Sequence, residues 1–311
     1  MSPAAKKQRP AASSKPAARP AAKRAPKQTA KATPARRVPA PRKATARAAK
    51  PAAVRILVLR AAGTNCDRES AYAFEQAGAE TVTMHVNELL KSPRRLAEVH
   101  GLVLPGGFSH GDDLGAGTVL GARIRTGLLD GIRRLVDRGG IVLGICNGFQ
   151  VLVKTGLVPG FDGTTKRAVT LASNTSNRYE DRWVTLEVAT DRSVFLRVGE
   201  RYHVPVAHGE GRLLPLDEAT RVRLHADRQI ALRYVGPDGT HPCGYPSNPN
   251  GAVDDIAGIT DPTGRILGLM PHPERHQFAW QSPRFHRDGA TSIPDGLRVF
   301  QHGVEHLKNT F

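Results

Sequence analysis

Residues 139–150 read GGIVLGICNGFQ, with Cys146 between Gly144 and Gly148, directly after an apolar run and directly before a stretch of helical character. This has the form of a nucleophile elbow with cysteine where hydrolases often carry serine. Such a bend exposes its side chain at the carboxyl end of a parallel sheet, where open α/β folds place ligands. A helix starting at Asn147 aims free N–H groups and its positive dipole end at the sulfur, which favours thiolate. The Asn147 N–H is then one half of an oxyanion hole. A lone cysteine more commonly just packs in a core; the flanking glycines at a strand–helix junction argue against that here.

A thiolate that attacks an amide needs a proton carrier, and the carrier needs an orienting partner. The run GLMPHPERH at 268–276 supplies both. Pro271 and Pro273 hold it extended, so His272 and Glu274, two apart, lie on one side of the chain. The alternative is a charged, proline-rich surface loop. His272 and His276 have the spacing of a helical metal pair, but Pro273 and the missing third ligand give no metal site. A third stretch, LVLPGGFSHGDDLGAG at 102–117, is a strand running into a glycine-rich loop. Its N–H groups from Gly106 to Phe108 complete the oxyanion hole if this strand neighbours that of Cys146. It matches neither GxGxxG nor GxxxxGK[ST], so nucleotide binding is not indicated.

These groups require a scaffold that brings distant segments to one edge. The apolar run opening VRILVLRAAGTNCD (54–67) predicts a strand buried on both faces. RESAYAFEQA (68–77) spaces Ala71, Phe74 and Ala77 helically and stops at Gly78, a C-cap. AETVTMHV and HGLVLPGG read as further strands, and residues 117–137 as one helix with Leu120, Ile124, Leu128, Ile132 and Leu135 on a stripe. GGIVLGIC is a fourth strand, and the alternation predicts a parallel sheet covered on both faces. From 160 to 260 shorter β-rich pieces such as DRWVTLEVAT, RYHVPVAHGEG and QIALRYV read as antiparallel strands extending the same domain. RILGLMPHPE returns to a strand, and residues 295–308 form a last helix with Leu297, Phe300, Val304 and Leu307 on one face.

The net charge of +17 over 311 residues suggests a nucleic-acid binder. Its distribution does not: residues 1–53 hold 15 of the 45 Lys and Arg and no acidic residue, leaving 30 basic against 28 acidic side chains in the body. The segment has no large apolar residue between Met1 and Val38, so it reads as a disordered basic tail. It also suits a polycation making weak nucleic-acid contacts, a transit peptide or a misplaced start codon. No stretch has the length of a membrane span. Cys66, Cys146 and Cys243 form no CxxC pair, so neither a disulfide framework nor a zinc site is indicated and a cytoplasmic location is expected.

The strings PGGFSHGDDLGAG, GICNGFQVL, VAHGEGR, YPSNPNG and GLMPHPER, in this order, closely resemble the class I glutamine amidotransferases. Within them they resemble the glutaminase subunits of phosphoribosylformylglycinamidine synthases, over roughly Val54 to the last helix. The resemblance implies a three-layer, flavodoxin-like α/β domain over 54–311, its mostly parallel sheet extended by antiparallel strands. It implies that Cys146 forms a γ-glutamyl thioester with glutamine, that His272 shuttles the proton and that Glu274 orients it. Gly106, Gly107, Phe108, Asn147, Gln150 and His208 would form the oxyanion and glutamine-binding groups. Ammonia would pass to a large synthetase subunit that uses ATP and Mg to convert formylglycinamide ribonucleotide to formylglycinamidine ribonucleotide in purine biosynthesis. A small accessory subunit is expected too, and no cofactor in this chain.

Asn65, Cys66 and Asp67 would lie near the active site or an interface, or simply form a turn. Glu210, Asn248 and Asn250 either help hold glutamine, contact the synthetase subunit or make turns. Two departures stand out: His110 occupies a position where tyrosine is usual, and 276–293 has no clear counterpart. Two other readings remain: another thiol-elbow hydrolase or chaperone-like relative, which would place its histidine close after the cysteine, and a nucleic-acid-associated protein with an inactive domain.

Overall fold

The computed structural model describes residues 53–288 and 294–311. The basic tail up to residue 52, and with it each reading of that tail, lies outside the described residues, as does the end of the 276–293 segment.

Apolar runs and helical spacings alternate through the first half as expected. The elements are β1 (Arg55–Arg60), α1 (Asp67–Gln76), β2 (Glu80–His85), α2 (Val86–Lys91), β3 (Gly101–Leu104), α3 (Thr118–Gly127), α4 (Leu129–Asp137), β4 (Ile141–Ile145) and α5 (Asn147–Thr155). The second half holds β5 (Val169–Ala172), β6 (Glu180–Val188), β7 (Arg201–His208), β8 (Arg212–Pro215), α6 (Glu218–Ala226), β9 (Ile230–Val235), β10 (Ile256–Thr260), β11 (Ile266–Leu269), α7 (Phe285–Asp288) and α8 (Asp295–Thr310).

Nine strands form one sheet in the order β2-β1-β3-β4-β11-β10-β9-β6-β7. The first five pair in parallel. β3, β4 and β11 are buried at every residue, as a parallel sheet covered on both faces requires. β2 closes the edge and leaves Val82 exposed. The other four extend the sheet through antiparallel pairings, while β5 and β8 form a separate ribbon. α1 packs on α8, with Phe74 and Phe300 edge to face at 5.0 Å, and α3 packs on α5. The architecture is therefore mixed α/β, with the flavodoxin-like 2-1-3-4-5 order in its parallel half.

Two boundaries differ from the sequence reading. The 117–137 stretch is two helices broken at Leu128 (φ −126°, ψ −12°), although Leu120, Ile124, Leu128, Ile132 and Leu135 are all buried as the stripe required. In α8 the buried face is Val299, Phe300, Val304 and Leu307, with Leu297 only half-buried. Gly78 does follow α1 in the left-handed region (φ 89°), its N–H donating to Glu75 O. Among the described residues no helix is long and apolar enough to cross a membrane.

Candidate active site

Cys146 sits between β4 and α5 at φ 51° and ψ −108°, a conformation that costs a non-glycine residue about 1–3 kcal/mol. The strain falls on the cysteine itself, not on the flanking glycines, which serve close packing. A Cβ on Gly144 would lie 2.7 Å from Gly148 O, and one on Gly148 would lie 1.8 Å from Leu104 O. These glycines let α5 settle onto β3 and β4, which aims its N-terminus at the sulfur. The Cys146 N–H donates to Leu269 O at 2.8 Å, and Ile145 pairs with Leu269 in the β4–β11 ladder. Cys146 and His272, 126 positions apart in sequence (272 − 146), thus follow the ends of neighbouring strands.

His272 follows β11, its backbone N–H donating to Pro205 O, and the segment does not stay extended as expected: Pro273–Arg275 form a 3-10 turn with His272 at its N-cap, Pro273 taking the first position, where a missing N–H costs nothing. Its Nδ1 is 2.6 Å from Glu274 Oε1, and both residues are about 1% exposed. Burial opposes a charged imidazole, but Glu274 first, then Cys146 and Cys66, hold it well above its ordinary value. Among the described residues Nε2 has no hydrogen bond of good geometry, so the nitrogen away from Glu274 is left for the Cys146 side. Gly106 makes this convergence possible. A Cβ there would stand 2.8 Å from His272 Cε1, 3.1 Å from Cys66 Sγ and 3.5 Å from Cys146 Cβ. Gly106, which the sequence suggested as an N–H donor, thus contributes space for the imidazole.

Cys66 is the member whose part the sequence left undecided. Its sulfur lies 4.0 Å from His272 Nδ1 and accepts from Arg275 Nη2 at 3.1 Å, while its thiol donates to Asn65 Oδ1. Asp67 instead pairs with Arg60 at 2.9 Å. Cys66, His272 and Glu274 place a sulfur, a nitrogen and an oxygen within 4.8 Å of one another, the donor types of a zinc site. The 2.6 Å Nδ1–Oε1 separation is that of a hydrogen bond, and a guanidinium sits against the sulfur, so the cluster is arranged to hold protons.

The glycine-rich loop supplies less than the sequence suggested. The Phe108 N–H already donates to Gly63 O at 2.8 Å, so Phe108 offers its half-exposed ring to the cleft wall and not a donor. Gly107 lines the cleft beside it. Asn147 fastens this loop: its Oδ1 accepts from Ser109 N–H, and its Nδ2 donates to Asp112 Oδ1 and Gln150 Oε1. Gln150 is also committed, its Nε2 donating to Glu210 O at 2.6 Å. Its side chain braces the cleft where a direct ligand was expected. His110, in the left-handed region at φ 55°, turns the loop.

A cleft of about 130 Å³ opens over Cys146, small beside the sites of drug-sized ligands. Asp112 and Glu210 bring carboxylates to it, and Tyr179 faces Phe108 at 6.4 Å across its mouth. Burial raises Asp112, aided by Glu210 and Asp113. Asp112 and Tyr179 went unnoticed in the sequence, where a loop aspartate and a lone tyrosine carry no signal. His208 lines the cleft with both ring nitrogens unpartnered among the described residues, and burial lowers it to about 4, with His272 adding to the effect. It is a neutral imidazole with free polar atoms. Asn248 and Asn250 are turn-makers. Asn248 bonds Ala252 O, Asp255, Gly251 N–H and Ala252 N–H, and Asn250 bonds Gly211 O, Tyr234 and Ala252 N–H.

The sequence profile of the CobB/CobQ-like glutamine amidotransferase domain matches residues 53–307. The chain is 47% identical over 255 residues to phosphoribosylformylglycinamidine synthase subunit PurQ of Dehalococcoides mccartyi, covering 81% of this chain and 97% of that protein. It is 42% identical over 266 residues to the subunit of the same name from Methanococcus maripaludis, covering 81% and 97%. A chain in the structure of PurLQS from Thermotoga maritima superposes with a TM-score of 0.61 at 30% identity, covering 82% of this chain and 99% of that one.

Proposed function

The chain belongs to the CobB/CobQ-like glutamine amidotransferase family, and from that premise we propose that it is the glutaminase subunit of a phosphoribosylformylglycinamidine synthase in purine biosynthesis. The observation that carries this is the meeting of a strained cysteine, a buried His–Glu pair and a small carboxylate-lined cleft at one sheet edge. Near-full-length likeness to the PurQ subunits supplies the pathway.

Glutamine enters with its α-ammonium toward Asp112 and Glu210 and its side-chain amide at Cys146, while the unpartnered His208 ring holds the substrate backbone. The thiolate attacks the amide carbon. The oxyanion forms against the N–H groups of Asn147 and Gly107, the first because it opens a helix and has no intrahelical acceptor. His272, as imidazolium, gives its Nε2 proton to the departing nitrogen, and ammonia leaves a γ-glutamyl thioester. Water then attacks the thioester, His272 takes its proton, and glutamate and the free thiolate are restored. Glu274 keeps Nδ1 occupied, so that Nε2 does both transfers.

The ammonia goes to a large synthetase subunit, where ATP and Mg activate the formylglycinamide ribonucleotide amide; a small accessory subunit completes the complex, in the cytoplasm. Labelling with a glutamine-mimicking diazoketone followed by peptide mapping tests the reading. Label is expected on Cys146, and Cys146→Ala is expected to abolish glutamine-dependent synthesis by the reconstituted complex while leaving ammonia-dependent synthesis intact. Loss of both activities, or label elsewhere, contradicts it.

A further inference from the structure

Cys66 is a buried thiol for which the glutaminase mechanism has no use. Burial pushes the thiol up, so it stays protonated beside a catalytic base. Its neighbours suggest what it does. Glu274 uses Oε1 for His272, while Oε2, also buried, has no hydrogen-bond partner among the described residues. The next residue in the chain, Arg275, carries a guanidinium, for which a free carboxylate oxygen is the strongest available acceptor. Arg275 instead gives one N–H to Cys66 Sγ at 3.1 Å and lies 4.0 Å from Glu69 on its outer side.

We infer that Cys66 is a positioning residue: its sulfur holds the Arg275 guanidinium off Glu274, so that the carboxylate stays committed to the His272 imidazole. The sulfur is fixed for this task. The Asn65 and Cys66 N–H groups both donate to Gly106 O, at 3.3 and 3.2 Å, and Phe108 N–H donates to Gly63 O. The turn before α1 is thereby clamped to the loop before α3. Without the sulfur, Arg275 swings onto Oε2 and competes with the imidazole for the same carboxylate.

This inference rests on the glutaminase reading and refines it. The titratable and charged groups around the imidazole are Glu274 and Arg275 from its own segment, Cys66 from the turn before α1, Cys146 from the elbow, His208 from the end of β7, and Tyr179. Pairing Arg275 with Glu274 removes the chief support of the imidazolium, so the alkaline limb of kcat moves to lower pH.

The test measures glutamine-dependent and ammonia-dependent synthesis by the reconstituted complex across pH. Cys66→Ala is expected to lower glutamine-dependent kcat about tenfold, with KM within about twofold and the alkaline limb displaced downward. Cys66→Ser, which keeps an acceptor for Arg275, is expected to stay near wild type. The double variant C66A/R275M is expected to recover kcat about fivefold over C66A, because the competitor is gone. A C66A enzyme with an unmoved limb, or a double variant no better than C66A, overturns the inference. Ammonia-dependent synthesis reports folding and assembly; if C66A lacks it, Cys66→Val takes its place and is read in the same way. A wild-type complex unable to use glutamine would instead defeat the glutaminase reading.

Discussion

Gly106→Ala isolates the packing at the centre of the site without altering any reacting group. The backbone at Gly106 lies outside the left-handed region, so alanine adds no conformational strain. Its methyl carbon would sit 2.8 Å from His272 Cε1, where an ordinary carbon–carbon contact begins near ~3.5 Å, so ring and methyl must part by about 0.7 Å. Cys66 Sγ at 3.1 Å and Cys146 Cβ at 3.5 Å leave no easier direction. Misplacing a catalytic group by about 1 Å costs on the order of a hundredfold, so glutamine-dependent kcat is expected to fall about 10- to 100-fold. Overpacking adds about 1–3 kcal/mol of destabilisation. The assay compares glutamine and ammonia as nitrogen donors in the reconstituted complex, with thermal unfolding of the subunit alongside. Ammonia-dependent synthesis should be untouched. A variant that uses glutamine within about twofold of wild type would show that the imidazole does not need this space, and the picture of His272 seated between two thiols would fail.

Glu274→Gln should lower kcat for glutamine by about a hundredfold or more. Because Glu274 holds His272 above its ordinary value, protonation of His272 stabilises the fold; that contribution is full below about pH 6.5 and lost as pH rises through the raised value. The gap in unfolding midpoint between this variant and wild type should therefore be widest in acid and narrow toward alkaline pH; a gap that widens upward contradicts the assignment. Asn250→Ala removes the donor to Gly211 O and the Tyr234 hydroxyl, while Ala252 N–H keeps Asn248, and should cost about 1–3 kcal/mol in urea unfolding. An unchanged midpoint would mean that Asn250 is not structural. Removing residues 1–52 should leave glutamine hydrolysis in the complex intact, and its loss would favour a function residing in the basic tail.

The elbow and the HPER segment were legible because their chemistry depends on local spacing: Gly144 and Gly148 frame the cysteine, and a histidine two places before a glutamate directly follows an apolar run, although a 3-10 turn over Pro273–Arg275, and not an extended course, brings His272 and Glu274 together. The parallel half of the sheet was legible from unbroken apolar runs. The break at Leu128 was not, because both helices bury the same stripe and the periodicity runs through the interruption. The part of Cys66 stayed undecided for another reason: its partners His272 and Arg275 lie more than 200 positions away and meet it only in three dimensions. Gln150 and Phe108 show the limit of reading donors from a string, since a string cannot reveal that Glu210 O and Gly63 O already accept their N–H groups.

The ladder between β4 and β11 has an evolutionary reach. Since the reacting pair is spaced by the register of two adjoining strands, hairpin tips in the antiparallel half that lie away from the cleft can lengthen, shorten or change composition without retuning the chemistry. Those tips, unlike the end of β7 that carries His208 and Glu210 to the cleft, offer surface that can change what the protein touches while the reaction stays unaltered.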